Sequence, residues 1–128
     1  MKLKSYLEEK RLFTAAQCAT IDAAFKHEVI PKGTMIGTNS KYSKSQRILF
    51  IESGLLRTLY AKDGKDITHF FFDENDFVAP VNSILHNKTE RYEWEALETC
   101  HIRTIPFEDF MGLEEQFPRL SRFMLEFT

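Results

Sequence analysis

The run RILFIESGLLRTLYAKDGKDITHFFF, Arg47 to Phe72, decides the fold class. It opens with a short apolar block, Arg47 to Glu52, that reads as a buried strand; Gly54 marks a tight turn or bulge, and Leu55 to Ala61 reads as a return strand. Asp63-Gly64 is the strongest hairpin signal in the chain, suited to a type I′ turn or a bulged relative, with Lys65 to Phe72 as the following strand. Strands this short, broken by Gly and Asn-Asp turns, argue for a mainly β sandwich or jelly roll rather than a parallel sheet.

Outward from that run the signals become helical on both sides. Leu3, Leu7 and the Leu12-Phe13 pair allow a first short helix. Thr14 with Gln17 has the form of a capping box that opens a second, roughly Ala15 to Lys26, and groups Cys18, Ile21, Asp22 and Phe25. The period changes at Pro31 to Gly33, and Thr34 to Ile36 resumes an extended run. Thr38 to Gln46 has no hydrophobic periodicity and reads as an exposed, mobile loop. Further on, Arg91 to Leu97 and His101 to Ile105 form another strand pair, and Phe107 to Met111 allows one helical turn. Pro118 is placed to open a helix carrying Leu120, Phe123, Met124 and Phe127 at i, i+3, i+4 and i+7. That stripe meets no stop signal by Thr128, so the natural protein is expected to continue past it.

The 128 residues suit one domain, 1–128, with no internal repeat or domain-splitting linker. With 43% hydrophobic and 28% charged residues the composition is that of a globular protein, and its 12 Phe are expected to fill the core. A net charge of −2 supplies no broad positive field, so contact with DNA would need another segment. Cys18 and Cys100 show no CxxC or Cys/His spacing and read as buried thiols of a reducing compartment. The N-terminal MKLKSYLEEKRLF lacks a continuous apolar run, so no signal peptide or membrane span is expected, and a cytoplasmic location follows.

The chemistry concentrates in DFVAPVNSILHNKTERYEWEA, Asp76 to Ala96. It has a helix-compatible centre from Val81 to His86, a polar turn from Asn87 to Glu90, and Arg91 entering an aromatic strand. A helix N-terminus and a guanidinium both favour negative charge, so this is a candidate cradle for an anion. Arg91 has a plainer reading as a strand-surface salt bridge to Glu90, Glu93 or Glu95. Asn82 and Ser83 fit either ligand contacts or helix caps. His69, Phe70 and Phe72, on the strand entering the stretch, fit either pocket lining or core. The four histidines, His27, His69, His86 and His101, show no HxH or HExxH spacing, which leaves a cupin-type metal enzyme a weak alternative and no metal site expected. There is no GxSxG elbow, P-loop or GxGxxG, and Asp73-Glu74 with Asp76 reads as turn chemistry, so no enzyme is expected.

Five pieces in order, IPKG at Ile30 to Gly33, IESGLLRTLY at Ile51 to Tyr60, DGKDITHFF at Asp63 to Phe71, NDFV at Asn75 to Val78 and ERYEWEA at Glu90 to Ala96, give the chain a resemblance. It resembles the cyclic nucleotide-binding domain of the Crp/Fnr transcription regulators over nearly its whole length. The resemblance implies a double-stranded β-helix or jelly roll, the cyclic nucleotide-binding β-roll, with N-terminal helices and a C-terminal helix. The ligand would sit between the roll and a short helix in the loop. It also implies that the helix from about Pro118 runs on as a dimerisation helix, with Leu120, Phe123, Met124 and Phe127 in a homodimer seam. DNA would be bound through a helix-turn-helix that this chain lacks. Arg91 matches the phosphate-binding arginine, implying a cyclic nucleotide or other small anionic effector. Ala79 and Pro80 stand where cyclic AMP binders carry a Gly-Glu pair, and Tyr92 stands where they carry a small hydroxyl residue. The ribose acceptor is therefore missing, and altered or lost cyclic AMP binding is expected. The alternative is a degenerate β-roll acting only through dimer or protein contacts.

Overall fold

The computed structural model describes residues 1–36, 47–78, 93–120 and 122. Among the described residues three helices, α1 (Leu3–Lys10), α2 (Ala15–Ala24) and α3 (Phe107–Gln116), flank eight strands. The strands are β1 (Lys26–Ile30), β2 (Met35–Ile36), β3 (Arg47–Ser53), β4 (Leu56–Lys62), β5 (Lys65–Phe72), β6 (Phe77–Val78), β7 (Glu93–Ala96) and β8 (Cys100–Pro106). They form two antiparallel four-stranded sheets, the first ordered β1-β8-β3-β6 and the second β2-β7-β4-β5. This is the mainly β roll with flanking helices expected from the sequence.

The apolar block in β3 is buried on both faces, and alternation divides its side chains between two cores. Ile48 and Phe50 join Leu3, Leu7, Cys18, Ile21, Phe110 and Leu113, so the helices pack on the outer face of the first sheet. Phe50 lies between Tyr6 and Phe77, with ring centroids 5.3 and 4.8 Å away. Leu49 and Ile51 face the opposite way and meet Ile30, Leu56, Val78, Ala96 and Ile102 between the sheets. One strand therefore contributes to both layers.

The sequence places Leu55 to Ala61 as a return beside β3, but β4 pairs with β5 and β7 in the second sheet. The chain changes sheets at Gly54, whose φ of +114° and whose approach to Cys100 leave no room for a side chain: a Cβ there would lie 2.6 Å from Cys100 Sγ and 2.7 Å from its Cα. The expected pairing of Arg91 to Leu97 with His101 to Ile105 also fails, since β7 and β8 lie in different sheets. The β4–β5 hairpin agrees with its sequence signal. Lys62 pairs with Lys65 across Asp63 (φ 54°) and Gly64 (φ 75°), the two positive φ values of a type I′ turn.

Thr14 and Gln17 form the capping box, with bonds of 3.1 and 2.8 Å. The helix it opens stops at Ala24, two residues short of the expected end. Phe25 turns extended (ψ 135°), and Lys26 begins β1. Arg103 of β8 holds this helix end, donating to the Phe25 carbonyl at 2.8 Å and pairing with Asp22 at 3.3 Å. For α1, which has no side-chain cap of its own, Glu52 of β3 accepts from the Leu3 N–H at 2.8 Å. Helix α3 runs ten residues where one turn is expected. Leu120 is only 1% exposed and sits in the helix-side core of its own chain.

Candidate functional site

The second sheet presents its inner face in rungs set by strand register. Leu56 stands opposite Phe72 and Ala96, and Thr58 stands opposite Phe70 and Trp94, with Ile36 beyond Trp94. Directly paired residues share a face, so the rung Phe70-Thr58-Trp94-Ile36 lies beside the better buried rung Phe72-Leu56-Ala96. Exposure rises along it: Leu56 is fully buried, Phe72 and Trp94 are partly buried against the inner core, and Phe70 is 57% exposed. The rings of Phe70 and Phe72 are 6.4 Å apart. Phe70 and Phe72 share this face by strand alternation, and a bulge in β5, one extra residue at His69 between the Thr58–Phe70 and Leu59–Thr68 pairs, brings Phe70 opposite Thr58 and leaves Thr68 on the other face beside Arg57. Thr58 fixes the bulge, its hydroxyl accepting from the Phe70 N–H at 3.0 Å.

Strand β6 lies at the edge of the first sheet and β7 in the interior of the second, so segment 79–92 connects the two sheets. Ala79, Pro80, Asn82, Ser83, Arg91 and Tyr92 fall outside the described residues, as do Phe123, Met124 and Phe127. Of the sequence-predicted ligand residues, Phe70 and Phe72 are brought together on the inner face, and His69 is placed by its backbone at the bulge. Thr58 and Trp94 complete that surface, and sequence reasoning misses both. Counting across the Asp63-Gly64 hairpin from Lys62 and Lys65 would set Thr58 opposite His69; the bulge, which no sequence signal announces, moves it opposite Phe70.

The opposite face carries charge. Arg57 donates from Nε to Glu95 Oε1 at 2.7 Å and from Nη1 to Thr68 Oγ1 at 2.8 Å, and its Nη2 lies 2.6 Å from the same carboxylate oxygen. Side-chain exposures of 24% on both partners make this a half-buried clamp across β5, β4 and β7. Glu95, one of three carboxylates that could have neutralised Arg91, is thus engaged by Arg57, while Glu93 is exposed.

The acidic turn before the segment is structural. Asp76 Oδ2 accepts from the Asp73 N–H at 2.9 Å, and the Asn75 N–H reaches the Ile51 carbonyl at 2.8 Å. Burial pushes the Asp76 carboxyl above its ordinary range. Burial likewise raises both thiols, and Cys18 and Cys100 are free and buried. A protonated thiol is a poor nucleophile. Among the described residues no group of three or more His, Cys, Asp or Glu is placed to hold a metal ion, and no helix is long and apolar enough to cross a membrane.

No protein-family model matches the chain, and no curated protein sequence matches it. Solved structures do. A CooA mutant from Carboxydothermus hydrogenoformans is 17% identical, with 92% of this chain aligned to 73% of that one at a TM-score of 0.72. CLP of Xanthomonas campestris, described as a c-di-GMP-responsive global regulator, is 15% identical over 88% of this chain and 55% of its own, with a TM-score of 0.70. The regulatory domain of Toxoplasma gondii PKA, crystallised with cAMP, is 14% identical over 88% of this chain and 43% of its own, with a TM-score of 0.68. The chain has their fold, the cyclic nucleotide-binding β-roll, and spans about half or less of the length of the latter two.

Proposed function

We propose that the chain is the effector-sensing domain of a Crp/Fnr-type transcription regulator, and that a small anionic effector binds at Arg91 against the inner face of the second sheet. The observation that carries this reading is the frame. Strands β6 and β7 lead into and out of segment 79–92 from opposite sheets, beside an inner face where Phe72, Trp94 and Phe70 grade from core to solvent. Apolar surface with a single charged group is the composition of a small-molecule site. The Arg57–Glu95 pair supports it, because it removes one rival partner for Arg91.

Ala79 and Pro80 supply neither the carboxylate that would accept from a ribose hydroxyl nor, at Pro80, a backbone donor. Losing a charge-assisted hydrogen bond of this kind costs about 1.5 to 3 kcal/mol, one to two decades of affinity. Cyclic AMP binding is therefore altered or lost, and the effector is an anion recognised chiefly through Arg91. The neighbours' own descriptions, one responsive to c-di-GMP and one bound to cAMP, are consistent with a roll that changes its ligand. The effector would act by population shift, binding one arrangement of the C-terminal helix better than another in a homodimer that reaches DNA through a segment beyond this chain. A thermal-shift panel of cyclic and linear nucleotides on the wild type and Arg91→Ala tests the proposal. A degenerate roll acting only through protein contacts gives no shift with any of them.

A further inference from the structure

Where the α1–α2 turn meets the end of α3, the surface opens into a groove with a volume of about 540 Å³. Leu12, Phe13, Phe117 and Pro118 supply its apolar wall, and Arg11 and Arg119 its charge. No carboxylate is among the described lining residues, although the chain carries a net charge of −2. Arg47, Arg57 and Arg103 each hold a carboxylate, but among the described residues neither Arg11 nor Arg119 has a side-chain hydrogen bond or ion pair.

Helix α1 ends at Lys10 with Arg11 as its C-cap and α3 at Gln116 with Phe117 as its C-cap, while α2 begins after Thr14 and a further helical segment begins at Arg119. Two helix C-termini and two N-termini thus border the groove. Their dipoles oppose one another, so the two guanidiniums set its sign. Thr14 and Gln17, also at the groove, are occupied with each other in the capping box.

We propose that this groove is a second ligand site, separate from Arg91, for a small amphiphilic anion: a phosphate or carboxylate held between Arg11 and Arg119, joined to an aromatic or aliphatic body that lies on the apolar wall. Guanidinium forks match both anions, and the volume falls within the range of small-molecule pockets, about 300 to 1,000 Å³. The site bridges the α1–α2 turn and the base of the C-terminal helix. Leu120, next to Arg119, is anchored in the helix-side core, so an anion joining Arg11 to Arg119 reinforces the same attachment.

Phenyl phosphate, inorganic phosphate and benzyl alcohol test this on the whole chain, read by amide NMR shifts and titration calorimetry. Phenyl phosphate is expected to move the amides of residues 11–17 and 116–120 with a dissociation constant below about 1 mM, and each half-ligand to bind at least about tenfold more weakly. Arg11→Gln and Arg119→Gln change exposed side chains that have no partner among the described residues, so each keeps the wild-type melting temperature while weakening phenyl phosphate about tenfold. Arg91→Ala leaves these shifts unchanged. Absence of groove shifts up to about 10 mM phenyl phosphate, shifts that survive the double Gln variant, or shifts lost in Arg91→Ala would each overturn the proposal.

Discussion

Gly54→Ala tests the crossover that divides the strands between two sheets. At φ +114° an alanine is strained by about 2 kcal/mol, and its Cβ would overlap Cys100 Sγ, Cα and Cβ at 2.6, 2.7 and 2.9 Å. One of the overlapped atoms belongs to the backbone, so β8 or the crossover must move, adding about 1 to 3 kcal/mol of overpacking. The expected loss is about 3 to 5 kcal/mol, a third or more of the stability of a typical domain. Gly64→Ala is the internal control: its φ of +75° is also positive, but nothing lies within 4 Å of the added Cβ, so only about 1 kcal/mol is lost. Urea unfolding followed by the fluorescence of Trp94, the single tryptophan, measures both. With m near 2 kcal/mol/M, Gly54→Ala lowers the midpoint by roughly 2 M at unchanged m. Adding Cys100→Gly beside it leaves most of the loss in place, because the clash with the backbone of residue 100 remains. Equal midpoints for Gly54→Ala and Gly64→Ala would refute the close approach and the crossover built on it.

Two more predictions concern the layers on either side. Phe50→Ala empties the site between Tyr6 and Phe77 and is expected to cost about 3 to 5 kcal/mol in the same assay, and a loss under about 1 kcal/mol would contradict its place at the junction of α1, β3 and β6. For Asp76, burial raises the folded-state pKa above the unfolded value, so the protonated form is favoured by folding. Its contribution is present below the unfolded pKa and is lost as pH rises through the folded one. Asp76→Asn keeps an oxygen to accept from the Asp73 N–H, so its stability relative to wild type should rise between acid and neutral pH; a flat or falling difference would contradict the assigned direction.

The parts of the fold legible in sequence are those decided by a few adjacent residues. Asp63-Gly64 names its turn because both positions require positive φ, and Thr14 with Gln17 names a helix start because the two side chains satisfy each other's backbone. Pairing across the sheets was not legible. Periodicity shows that Leu55 to Ala61 is extended, but not that Gly54 has sent it to the other sheet, and the short connection from Ala96 to Cys100 looks like a hairpin while crossing the same gap. Strand β1 is hidden because, at the sheet edge, Lys26, His27 and Val29 are exposed and only Ile30 is buried. Gly112, a poor helix former, makes α3 look a single turn long, yet Phe110 and Leu113 hold both sides of it to the core. Leu120 of the C-terminal stripe is buried in the helix-side core of its own chain, and the other members of the stripe lie outside the described residues. At the site, the sequence pointed to Phe70 and Phe72, but Thr58 and Trp94 became visible only through register. The engagement of Glu95 by Arg57 depends on a pairing 38 residues apart.

The central claim is a phosphate-recognising site at Arg91, and a ligand titration on wild type and Arg91→Ala tests it most directly. With cyclic AMP, cyclic GMP, c-di-GMP and AMP each in excess, the account predicts that at least one raises the melting temperature, by about 2.7 kcal/mol of stability at 100 times its dissociation constant. It also predicts that cyclic AMP is not the tightest and that Arg91→Ala abolishes the shift. No shift with any of the four, or an equal shift in Arg91→Ala, would contradict it.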